Sequence, residues 1–157
     1  MVSTKEADVI QLNPIGTVRN TGESFALEIA EPFRPALKQL DQFSHVIVLW
    51  WADRCDNEQG RSLLETRPPY AEEHLTGVFA CRAEYRPNPI GTTVCKILEV
   101  DEEQGVVRLE YIDAFDGTPL VDLKAYFPVS DRVKSVQMPE WLSDWPEWVE
   151  EAYKLAF

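Results

Sequence analysis

Apolar and polar residues alternate with a period of two along SFALEIAEPF, residues 24–33. This puts Phe25, Leu27 and Ile29 on one face of an expected strand that Pro32 ends. HVIVLWWA is instead an unbroken run of β-branched and aromatic residues, the pattern of a central strand covered on both faces. GVFACRAE reads as the next strand. TTVCKILEVDEEQGVVRLEYIDAFDG then gives two strands around a turn at Glu102 to Gly105, and TPLVDLKAYFP gives a last one closed by Pro128. Upstream, IQLNPIGTVRN is a strand opened by Pro14 and Gly16, and RPALKQLDQF suits one or two helical turns with Leu37 and Leu40 three apart. The spacing becomes helical again in PEWLSDWPEWVEEAYKLAF, through Trp145, Trp148, Val149 and Tyr153. Between the central strand and GVFACRAE lies a polar stretch with the Pro68-Pro69 pair, expected to be a long loop.

Short strands joined by turns predict a mainly β fold: a single compact β-barrel domain over residues 1–157, the barrel covering about 10–133. A long loop follows the central strand, and a short C-terminal helical segment spans about 139–157. Closure is the simplest arrangement because it leaves no exposed strand edge. The length of 157 residues suits one core.

Composition narrows the chemistry. No stretch approaches the ~20 apolar residues of a membrane helix, and MVSTKEADVI lacks the apolar run of an export signal, so no membrane association and a cytoplasmic location are expected. Cys55, Cys81 and Cys95 have no CxxC spacing and read as free thiols, with Cys81 beside Arg82 the candidate for reactivity. His45 and His74 are the only histidines and share no ligand spacing, so no metal site is expected. The net charge of −12 repels a polyanion at long range, so RNA binding needs a local basic patch; Arg82, Arg86, Lys96, Lys124, Arg132 and Lys134 are its candidates.

Four stretches carry candidate chemistry. In YRPNPIGTT, residues 85–93, two prolines fix their own backbone and restrict Arg86 and Asn88 before them, which makes a stiff corner. His45 stands at the mouth of the apolar strand, either as a satisfied structural group or as a site residue. IDAFDGTP places Asp113 and Asp116 three apart, ending in an Asp-Gly turn in which Asp116 can also cap its own backbone. Arg82 closes GVFACR, as a ligand group or as a surface ion pair of little energetic consequence.

NPIGTVRN, LDQFSHVIVLWWADR, GVFACRAEYRPNPIG and IDAFDGTPLVDLKAYFP occur in that order, and together they resemble the TsaA-like family from about Ile10 to Val133. The resemblance implies a β-barrel that binds S-adenosylmethionine near the contact of a homodimer and methylates tRNA threonylcarbamoyl-adenosine. It also implies cofactor contacts at His45, Val46, Arg82, Thr92, Asp116, Gly117 and Thr118, with Arg86, Asn88 and Lys124 as further site positions. Methyl transfer to an exocyclic nitrogen must release a proton, for which His45, Asp116 or solvent is the candidate acceptor. Family tRNA methyltransferases usually carry a Pro-Arg-Gln segment soon after the first strand, where this chain reads NTGESFALEIAEPF. Many also have an added C-terminal domain, whereas this sequence ends after the expected helix. The alternatives are a non-catalytic cofactor-binding or regulatory domain, and methylation of a small molecule or protein. The tryptophan-rich C-terminal stretch is either a cover for the core or a dimer contact.

Overall fold

Six strands close on one another in the computed structural model, which describes residues 9–155. In chain order the strands are β1 (Gly16–Asn20), β2 (Phe25–Ile29), β3 (His45–Trp51), β4 (Glu65–Thr66), β5 (Thr76–Gly77), β6 (Ile90–Asp101), β7 (Val106–Leu109) and β8 (Pro119–Ala125). The barrel runs β1-β2-β7-β6-β3-β8 and back to β1, with antiparallel pairing throughout. The seam is short: only Gly16 with Leu120 and Thr17 with Pro119 pair across β1 and β8. β4 and β5 form a separate two-stranded ribbon in the loop region between β3 and β6.

Alternation along each strand sends one set of side chains into the barrel. Val18, Leu27, Val46, Val48, Val107 and Leu120 are fully buried there and, with Ile112 from the loop before β8, form the core. The β2 pattern behaves as its sequence predicts, with Leu27 and Ile29 buried and Glu28 outside, paired to Arg19 at 2.9 Å. A Cβ on Gly91 would sit 2.3 Å from the Trp50 indole, so glycine lets β6 lie against that ring.

Three expectations need correction. β3 is covered on one face rather than two: Val46, Val48 and Trp50 are buried, whereas Ile47, Leu49 and Trp51 are half-buried on the outside. Its uninterrupted apolar run reflects strand propensity on the outer face as well as burial on the inner one. GVFACRAE is not a strand. Only Thr76–Gly77 pairs, with β4, and Val78–Ala80 is a 3-10 turn. Its buried positions are Val78 and Cys81, three apart, a spacing that such a turn satisfies and a strand does not. The C-terminal segment makes two 3-10 turns, Glu140–Leu142 and Val149–Lys154, in place of a continuous helix. Trp148 between them is extended. Trp141 stacks on His74 at 5.3 Å and Trp145 meets Tyr70 edge-on at 4.9 Å, so the tryptophans dock on the loop region rather than line one helical face. The stretch around Leu37 and Leu40 forms the expected helical turns, of the 3-10 kind, at Glu31–Leu37 and Leu40–Gln42.

All three thiols are free and buried. Burial, with the Asp113 charge adding to it, pushes the Cys95 thiol from its ordinary value near 9 up to about 12. Burial and the neighbouring Glu84 carboxylate raise Cys55 as well. The folded state therefore holds these protons after the unfolded chain has released them, so stability falls as pH rises from about 9 toward 12. Urea unfolding at pH 7.5 and pH 10 should show the lower midpoint at pH 10, and a thiol reagent at pH 8 should label Cys95 only after unfolding. Leu27→Ala removes a fully buried core side chain and should cost about 2–5 kcal/mol in the same unfolding assay.

Candidate functional site

The proline corner between Arg86 and Ile90 is bonded into the barrel. Pro89 is fully buried, and its carbonyl accepts the Ala52 N–H at 2.8 Å, tying the exit of β3 to the entry of β6. Ile90 N–H returns to the Asn88 carbonyl at 2.7 Å, a three-residue turn centred on the proline. On the outside, Arg61 reaches the Pro87 carbonyl at 3.4 Å and pairs with Asp56 at 2.5 Å, while Trp51 Nε1 donates to the same carboxylate at 2.9 Å. Arg61 first, and Trp51 after it, hold the Asp56 carboxyl below the usual carboxylate range.

Against this corner opens a cavity of about 310 Å³. Trp50, Gly91 and Thr92 form one side, from the paired ends of β3 and β6. The turn after β5 supplies Phe79 and Cys81, and the chain leading from it into the corner supplies Arg82, Glu84 and Arg86. Arg86 Nη2 donates to the Val78 carbonyl, which bridges the turn to the corner. Arg82 is exposed and makes no ion pair among the described residues. Cys81, the candidate reactive thiol, is buried with its Sγ 3.7 Å from the Val78 carbonyl. Asp113 also lines the cavity and accepts from Thr93 Oγ1 at 2.5 Å. Sequence reasoning noted Asp113 only for its spacing from Asp116. Its place follows from strand register, which pairs Thr93 with Val48 two residues along from the Trp50–Gly91 pair that lines the cavity.

Three of the expected site residues, Arg82, Arg86 and Thr92, thus converge, and Asn88 sits exposed in the adjoining corner. The others lie elsewhere within the chain. Phe115 to Thr118 form a tight turn closed by Thr118 N–H to the Phe115 carbonyl at 3.2 Å. Gly117 takes φ +78° in it, which glycine accommodates. Asp116 Oδ1 accepts the Asn20 N–H at 2.9 Å, and Gly117 N–H bonds the Val18 carbonyl at 2.8 Å, so this turn is stapled to β1. Asp116 therefore caps a neighbouring strand rather than its own backbone.

His45 begins β3, and Trp51 ends it six residues later, about 20 Å away at strand rise. It faces a different cavity, of about 460 Å³, with Val94, Tyr126, Arg132 and Trp148 among its walls. Ser44 Oγ lies 2.8 Å from His45 Nδ1. The Val46 side chain is fully buried in the core. Lys124 lies on the outer face of β8 opposite Ile47 and pairs with Asp122 at 2.9 Å; that bond holds its ammonium above the ordinary lysine range.

Five of the six candidate cations divide between the two ends of β3. Lys96 pairs with Glu110 and Lys124 with Asp122, Arg132 stacks over Trp148, and Arg82 with Arg86 lies at the other end of β3. Among the described residues, no group of three His, Cys, Asp or Glu side chains is placed to hold a metal ion, and no helix is long and apolar enough to cross a membrane.

Comparison with known proteins adds the family. Residues 10–132 match the tRNA-methyltransferase O N-terminal domain. An S-adenosyl-L-methionine-binding protein of Archaeoglobus fulgidus is 34% identical over 111 residues, covering 71% of this chain and 75% of its own. The crystal structure of TrmO from Pseudomonas aeruginosa superposes with a TM-score of 0.66 at 28% identity over 86% of this chain, and a second TrmO structure with 0.64 at 31% identity over 83%. The chain spans 62% and 64% of those two proteins, and 37% of a longer A. fulgidus relative that is 35% identical over 144 residues. The closed barrel and the ordered motifs thus have one origin: the chain belongs to the tRNA-methyltransferase O N-terminal domain family, the TsaA-like family that its motifs resemble.

Proposed function

We propose that this chain binds S-adenosyl-L-methionine and transfers its methyl group to tRNA, working as a homodimer. The observation that carries the reading is the convergence of Arg82, Arg86 and Thr92 on one cavity beside a stiff corner. Its volume of about 310 Å³ is at the lower end for small-molecule sites, room for part of a nucleoside cofactor rather than all of it. The residues fit such a group: the Arg82 guanidinium suits a carboxylate, and Phe79, largely exposed at the cavity, suits a flat ring. The cofactor supplies a methyl carbon on a cationic sulfur when bound. The protein's task is then alignment, which needs no nucleophilic side chain.

The remaining expected contacts lie at a distance within one protomer. A two-fold partner laying its β3 face antiparallel on this one would carry its His45 toward this Arg82. Ile47 and Leu49, half-buried and apolar on that face, support such a contact. In the tautomer whose Nδ1–H donates to Ser44 Oγ, His45 keeps Nε2 for an acceptor's proton, and Asp116 keeps Oδ2. Lys124, held charged by Asp122 on the same outer surface, and the Gly117–Thr118 backbone would complete the site. The three free thiols suit a reducing cytoplasm.

The tRNA acceptor rests on the family description and on the TrmO structures. A second reading, cofactor binding without tRNA methylation, is favoured by the net charge of −12 and by the separated cations. Two measurements decide. Calorimetry should show saturable binding of S-adenosylmethionine, weakened about tenfold or more by Arg82→Ala with little change in melting temperature; absence of binding contradicts the proposal. Methyl-labelled cofactor should then label tRNA. Binding without labelling selects the second reading.

A further inference from the structure

The cavity beside the corner carries both signs of charge: Arg82 and Arg86, Glu84 and Asp113. Their contacts within the protein separate them. Arg86 is engaged with the Val78 carbonyl, and Glu84 accepts the Cys55 thiol across 3.6 Å. Arg82 has no ion-pair partner among the described residues.

Asp113 is fixed by a relay. An indole N–H only donates, so Trp50 Nε1, 3.1 Å from Thr93 Oγ1, makes that oxygen an acceptor. The threonine proton is thereby directed to Asp113 Oδ1, 2.5 Å away. Trp50 is itself buried and packed on Gly91. The carboxylate is thus oriented as an acceptor through a chain that begins in the core. Its Oδ2 has no hydrogen-bond partner among the described residues.

One exposed guanidinium and one oriented carboxylate on the same small cavity match the α-amino acid group, which needs both. A phosphate or a simple dicarboxylate would meet Asp113 and Glu84, and a plain amine would meet Arg82 and Arg86. Building on the cofactor reading above, we infer that this cavity takes the aminocarboxylate end of the ligand. Asp113 receives the ammonium, Arg82 takes the carboxylate, and the Trp50–Thr93 relay positions Asp113.

The test compares S-adenosylhomocysteine with 5′-methylthioadenosine. Both carry a neutral sulfur, and only the first has the aminocarboxylate. In Asp113→Asn, affinity for S-adenosylhomocysteine should fall about ten- to a hundredfold while that for methylthioadenosine holds. Thr93→Val, which keeps the carboxylate and breaks the relay, should give a smaller loss confined to the first ligand. It serves also if Asp113→Asn fails to fold. Glu110→Gln, an exposed partner of Lys96 outside the cavity, should leave the ratio of the two affinities unchanged. A parallel loss for both ligands in the Asp113 and Thr93 variants means a structural role and overturns the inference, as does an unchanged affinity for S-adenosylhomocysteine. Failure of the unaltered protein to bind S-adenosylhomocysteine overturns the cofactor reading itself.

Discussion

The hydrogen bond from Ala52 N–H to the carbonyl of buried Pro89 is the constraint on which the candidate site depends. It joins the chain leaving β3 to the chain entering β6, where no sheet pairing continues. A proline at that point has a fixed φ and no N–H to satisfy, so its carbonyl is the one polar backbone group that must find a partner. The Ala52 amide is that partner. Around it the corner is braced by Arg86 on one side and Arg61 on the other. The cavity wall is thereby part of the barrel rather than a loop laid over it, and the entropy of ordering it falls on folding instead of on binding.

Strand register does the rest. β3 and β6 are paired along the whole of β3, from His45 with Lys96 to Trp51 with Ile90. This fixes which side chains appear at each end of the barrel. One end presents Trp50, Thr92 and, through Thr93, Asp113; the other presents His45 and Val94 beside the C-terminal tryptophan Trp148. A slip of one residue would invert inside and outside on β3 and dissolve both groupings. The ionic pairs on the outer surface are exposed and contribute little to stability; the core and the register hold the site in place.

Much of this was legible in the sequence, for identifiable reasons. β2 and the β6–β7 hairpin are half-buried strands whose alternation survives packing, and Gly105 at φ +72° marks the turn between them. The corner announced itself through its prolines. Arg82, Arg86 and Thr92 were named because the ordered motifs carry them. Where reading failed, the cause was local. Val78 and Cys81 bury themselves three residues apart, which a period-two pattern conceals. The C-terminal tryptophans look like a helical stripe but follow the docking positions offered by Tyr70 and His74. Asp113 could not be ranked above Asp116, because the difference lies in their partners: Thr93 and Trp50 across the sheet for one, the Asn20 amide for the other.

Amide hydrogen exchange at Ala52, followed in the ligand-free protein and with S-adenosylhomocysteine added, tests the pre-ordered corner most directly. The account predicts that this amide exchanges slowly without ligand, with an opening free energy close to that of global unfolding, and that ligand adds no more protection than it adds to the barrel as a whole. Rapid exchange in the free protein, slowed only when ligand is present, would show a corner ordered by binding and contradict it.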